Sequence, residues 1–148
     1  MIQFLFILIL GASTFSKAEY FTVISGSDVN VMTNMMDKIE KVNESTDKSA
    51  YLGALKMKKA QYLKTPKDKL DLFKEGKDLL EKTILKNGKN AEYRFLRLMI
   101  QENAPKMLKY NTKVEEDAKF ISSNYASLSA DVKSAVLKYS KTSTHLKI

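Results

Sequence analysis

Two guanidinium groups one helical turn apart are the sharpest chemical signal in the chain. Arg94 and Arg97 are its only arginines, and Gln101 follows on the same strip of a helix. Planar donor forks at that spacing can grip a carboxylate or a phosphate through paired hydrogen bonds, which makes Arg94, Arg97 and Gln101 the candidate partner-binding set. The same forks can also serve the protein's own acids, and the acidic stripe of the preceding helix, Glu92 and Glu102 are close enough in sequence to be those partners. That stripe, Asp68, Asp71, Glu75 and Asp78, runs along one helix face between Lys67, Lys74 and Lys82. Helical metal sites combine such carboxylates with histidine, and none lies in this region, so no metal site is assigned. Glu115, Glu116 and Asp117 are consecutive and point about 100° apart, too divergent to converge on one ion.

The remaining chemistry is thin. The single histidine, His145, sits in a polar tail where nothing is expected to hold a catalytic base. No serine elbow, Ser-x-x-Lys motif or glycine-rich phosphate loop occurs in a setting suited to catalysis. With no cysteine, thiolate chemistry and iron–sulfur clusters are excluded, and one histidine removes nearly every zinc site. The sequence therefore reads as non-enzymatic, with no catalytic residue and no cofactor. Met32, Met35, Met36, Met57, Met99 and Met107 read as core filler, and Met32, Met35 and Met36 would line a groove if their helix packed loosely.

The elements that must position these residues are helices. Asn90–Asn103 is the most apolar run after the N-terminus, with Tyr93, Phe95, Leu96, Leu98, Met99 and Ile100 covering most of its circumference. Only a narrow polar wedge carries Arg94, Arg97 and Gln101, so this helix must be sheathed by neighbours. Before it, Ser27 or Asp28 caps a helix to about Asn43, and Thr46 or Asp47 opens a second to Lys64. Gly53 in that second helix costs about 1 kcal/mol of propensity against alanine, which points to close helix packing as its purpose. Thr65-Pro66 starts a third helix that Asn87-Gly88 stops. After the apolar helix come a short turn from Pro105, a fifth helix opened by a capping box at Thr112 and Glu115, and a last helix from Ser129. Tyr20–Ser25 is β-prone, so residues 19–26 read as an extended lead-in, and residues 140–148 as a frayed tail.

Residues 1–18 differ from the rest. An apolar core at Phe4–Leu10 leads through small residues to Ser16-Lys17-Ala18, which reads as a signal peptide cleaved before Glu19, with an uncleaved N-terminal anchor as the alternative. The mature chain, residues 19–148, is then a single exported domain, periplasmic or extracellular, with 24 basic against 17 acidic residues. Its positive charge is concentrated in residues 56–89, where lysine alone supplies it. A lysine-only surface is a solvated one more often than a recognition set, and export separates the chain from cellular nucleic acid.

Short links between helices force neighbouring elements to run antiparallel, so the chain reads as all-α, about six helices in stacked antiparallel hairpins. Ala50-Tyr-Leu-Gly-Ala54 in one helix and Phe73-Lys-Glu-Gly-Lys77 in the next resemble tetratricopeptide-type hairpins, and the whole is similar to small exported helical proteins of bacteria. The resemblance implies a role in binding a protein or peptide, with no chemistry of its own. A second reading, of a different class, is an electrostatic binder of anionic membrane or polysaccharide through Lys56–Lys89.

Overall fold

The computed structural model describes residues 14–148, and every regular element among them is helical. Seven α-helices follow in order: α1 (Lys17–Ser25), α2 (Val29–Glu40), α3 (Thr46–Ala60), α4 (Pro66–Lys86), α5 (Ala91–Asn103), α6 (Val114–Asn124) and α7 (Ala130–Ser140). Single 3-10 turns, Lys106–Leu108 and Tyr125–Ser127, precede α6 and α7 respectively. Asp28, Ser45, Thr65 and Asn90 cap α2 to α5 by accepting backbone N–H groups of the first turn. None of the helices among the described residues is long and apolar enough to cross a membrane.

The expected extended lead-in is instead α1. Ser16 caps it by accepting the Glu19 N–H, and Tyr20, Phe21, Val23 and Ile24 turn into the core. Local β-propensity is weak against that burial, since an unpaired strand would leave its backbone groups without partners. Phe15 packs edge-on against Tyr51 at 4.9 Å, and the Lys17 ammonium lies within ion-pair distance of Asp47 and Glu92. The expected cleavage point after Ala18 thus falls inside α1. The apolar run Phe4–Leu10 lies outside the described residues.

Helices α3 and α5 form the middle of the molecule. α3 touches α2, α4 and α5, while α5 also touches α4 and α6; α1 packs on both α2 and α7. Nine residues of α5 are buried, including Phe95, Leu96 and Leu98, in keeping with its apolar circumference. The most extensive contact joins α3 to α4. It is centred on two glycines: a Cβ on Gly53 would stand 2.7 Å from the Gly76 carbonyl oxygen, and one on Gly76 would stand 2.5 Å from the Gly53 oxygen. The helix backbones meet there directly.

The tail is not frayed. Leu146 is completely buried, and residues 143–147 return to α5 and α6 through hydrogen bonds to Glu102 and from the Ser122 hydroxyl. The expected capping box at Thr112 is also absent. Helix α6 begins after Lys113 without a side-chain cap of its own, because the Gln101 Oε1 accepts the Lys113 N–H from across the interface at 3.2 Å.

Candidate functional site

The arginine set is spent inside the fold. Arg97 is buried and grips the fully buried Asp117 bidentately, with Nε to Oδ2 at 2.7 Å and Nη2 to Oδ1 at 2.8 Å. Its Nη1 donates to Glu81 of α4 at 2.9 Å, and the Tyr110 hydroxyl donates to the other Glu81 oxygen at 2.6 Å. Burial pulls the Arg97 guanidinium pKa down, but Asp117 and Glu81 outweigh that and raise it above its ordinary value. Arg94 donates to the Gly88 carbonyl and to Glu116 and Asp117, and its guanidinium lies over the Phe120 ring. Gln101, as above, caps α6. Arg94, Arg97 and Gln101 are therefore brought together, and their contacts bracket α4, α5 and α6. The acids they meet are Glu81, Glu116 and Asp117, not the α4 stripe, Glu92 or Glu102. The three consecutive acids do not all diverge as expected: Glu116 and Asp117 both accept from the Arg94 Nη1, at 3.1 and 3.2 Å, and of the three only Asp117 is buried.

The α4 stripe lies on the surface, where Asp71 pairs with Lys67, and Glu75 with Lys56 of α3. No three histidine or acidic side chains among the described residues are grouped so as to hold a metal ion.

His145 is held, contrary to expectation. Its Nδ1 lies 2.8 Å from Glu102 Oε1, and the same carboxylate accepts from Ser143 Oγ and, at 2.6 Å, from Tyr139 Oη. Burial pushes the Glu102 carboxyl up, but the hydrogen bonds from Tyr139, His145 and Ser143 outweigh it, and the group sits below the usual carboxylate range. A relay would need the serine on the imidazole. Here Ser143 bonds the carboxylate and accepts N–H groups of the tail, so the cluster is a clasp that holds the C-terminus to α5.

Among the described residues, a groove of about 1020 Å³ is walled by α1, α3, α4 and α7 and ended by the turn after α5. Phe21, Ile24, Met57, Phe73, Met99 and Ile100 make its floor. Leu70 and Met107 stand on its margin, 40 % and 85 % exposed, beside Lys58, Lys69 and Lys138. No family model, curated protein or solved structure matches the chain. The groove's chemistry must be read from its own walls. They can bury an elongated apolar surface and offer cations at the edge.

Sequence reading did not single out this surface. Most of its floor has the spacing of ordinary core residues, and five separate helices contribute to the groove. Met107, read from the sequence as core filler, is instead exposed on the turn between two lysines, Lys106 and Lys109. The methionines of α2, in contrast, are buried in the core.

Proposed function

We propose that the chain is an exported, non-enzymatic interaction module that receives a protein or peptide partner in the groove between α1, α3, α4 and α7. In this reading its helices are stacked as antiparallel, tetratricopeptide-type hairpins, closed by the packing of α1 on α7. The observation that carries it is the groove itself: an apolar floor opening onto exposed Leu70 and Met107, in a molecule whose conspicuous polar constellations are internally engaged. Contiguous exposed apolar surface of this kind marks interaction sites, because leaving it in water is costly. A photo-crosslinking residue at Met107, expressed in the native host, is expected to capture a defined protein partner. The same residue at Leu85, equally exposed on α4 but outside the groove, is expected not to. Equal adducts at both positions, or none at Met107, would overturn the assignment.

One observation favours the electrostatic reading as the second. Of the eleven lysines in residues 56–89, only Lys56 and Lys67 lie within ion-pair distance of a carboxylate among the described residues. Salt-sensitive binding to phosphatidylglycerol vesicles, lost on reversing Lys74, Lys82 and Lys86, is its expected signature.

A further inference from the structure

We infer that the groove's occupant is an amphipathic α-helix whose apolar stripe is flanked by carboxylates. The inference rests on the groove being the binding surface and adds the class of partner. Size is the first argument. A helix about 11 Å across occupies roughly 1000 Å³ over two turns, so the groove would take about four turns of a half-embedded helix. Shape is the second. The groove is a trough with exposed margins, not an enclosed cavity, so whatever fills it must itself turn a polar face to water. A helix with one apolar stripe does this, whereas a bare acyl chain would leave Met107 and Leu70 wet. Adaptability is the third. Met57, Met99 and Met107 are unbranched and can repack around differing apolar side chains, as grooves for helices require.

Charge selects among amphipathic helices. Lys58, Lys69 and Lys138 reach the rim from α3, α4 and α7, and none has a carboxylate within ion-pair distance among the described residues. Asp131 is the single acid in the lining. The rim is thus cationic along more than one wall, and acids on both flanks of an apolar stripe would meet those ammonium groups at partly desolvated positions.

The test uses the full chain and two fluorescein-labelled helical peptides of about 16 residues, with leucine at i, i+3, i+4 and i+7. One carries glutamate on both flanks of the stripe, the other lysine. Fluorescence polarisation is expected to show the glutamate peptide binding at least about tenfold more tightly, with the gap narrowing as salt rises. Met107→Glu is expected to abolish binding, and the triple variant Lys58→Glu, Lys69→Glu, Lys138→Glu to reverse the preference between peptides. All four positions lie on the rim, and an unchanged helical circular dichroism spectrum checks that the variants fold. Equal binding of both peptides, abolished by Met107→Glu, would overturn the acidic-helix assignment while leaving the groove as the site. Displacement of a groove-bound dye by oleate, with neither peptide bound, would overturn it in favour of an acyl chain. No binding to any of these probes, with no Met107 crosslink, would sink both the inference and the function it rests on.

Discussion

Replacing Gly53 by alanine tests the central packing of the fold with a single methyl group. On a solvated helix that change stabilises by about 1 kcal/mol, because glycine is the more flexible in the unfolded chain. Here the added Cβ would lie 2.7 Å from the Gly76 oxygen, 2.8 Å from the Leu80 nitrogen and 3.0 Å from the Leu79 Cβ. Two of those three atoms are backbone, so no side-chain rotation relieves the clash, and α3 and α4 must move apart by several tenths of an ångström. Overpacking of this kind costs about 1–3 kcal/mol, and a gap of ~0.5 Å also forfeits about a quarter of each dispersion contact across the interface. This is the largest helix–helix contact among the described residues, so the upper end of that range applies and the net loss is expected to be about 2 kcal/mol after the propensity gain. At about 3 °C per kcal/mol for a chain of this length, the midpoint of thermal unfolding should fall by about 6 °C. Gly76→Ala should behave alike, and the double variant should lose less than the sum, because the helices need separate only once. Gly88→Ala is the control. Its Cβ would stand 3.6 Å from the Ile84 oxygen, an ordinary contact, and its effect should stay within about 0.5 kcal/mol. A Gly53→Ala variant as stable as the parent, or more stable, would refute the backbone-to-backbone packing of α3 on α4.

The other predictions concern the two polar clusters. Asp117→Asn leaves the buried Arg97 facing a neutral amide and should cost about 3 kcal/mol in urea unfolding, while Arg97→Met with Asp117→Leu should recover most of it. A loss under about 0.5 kcal/mol would show that the pair is not the bracket described. Leu146→Ala should destabilise by about 2–4 kcal/mol, a result that a frayed tail could not give. Glu102 has its pKa lowered by folding, so the stability it contributes is present above its ordinary 4.5 and is lost as pH falls through the lowered folded value. Amide exchange at Ser143–Leu146, corrected for its intrinsic rate, should therefore accelerate under acid relative to neutral pH, and Glu102→Gln should flatten that dependence.

Helices α2, α4 and α5 were legible because each opens on a side chain that accepts its own first-turn N–H groups, Asp28, Thr65 and Asn90, whereas α3 was placed from Thr46 and Asp47, just past its true cap Ser45. Gly53 was legible for a related reason, since a helix carries an interior glycine only for contact. The misreadings share one cause, which is that a distant residue supplied what the local sequence lacked. Tyr20–Ser25 looks like strand until Tyr51 accepts the Tyr20 hydroxyl and the core covers the Phe21 ring. Thr112 looks like a cap until Gln101 reaches the Lys113 N–H. The tail looks free until Glu102, over forty positions away, gathers Ser143 and His145. Among three consecutive acids, nothing in the sequence distinguishes Asp117 as the inward one.

The arginine bracket and the groove are then two faces of one helix. Residues Arg94, Arg97 and Gln101 fix α5 to α4 and α6, while Met99 and Ile100, set around the same helix, form part of the groove floor. A buried bidentate pair on one side of a helix also fixes the Cα and Cβ positions two and three residues on. The backbone under the groove floor is therefore held in place, while the unbranched side chains of Met57 and Met99 keep their rotamer freedom, as do the exposed margin at Leu70, Met107 and the lysines. The polar signal that stands out in the sequence thus acts at one remove. It holds still the backbone beneath the apolar surface on which binding would depend.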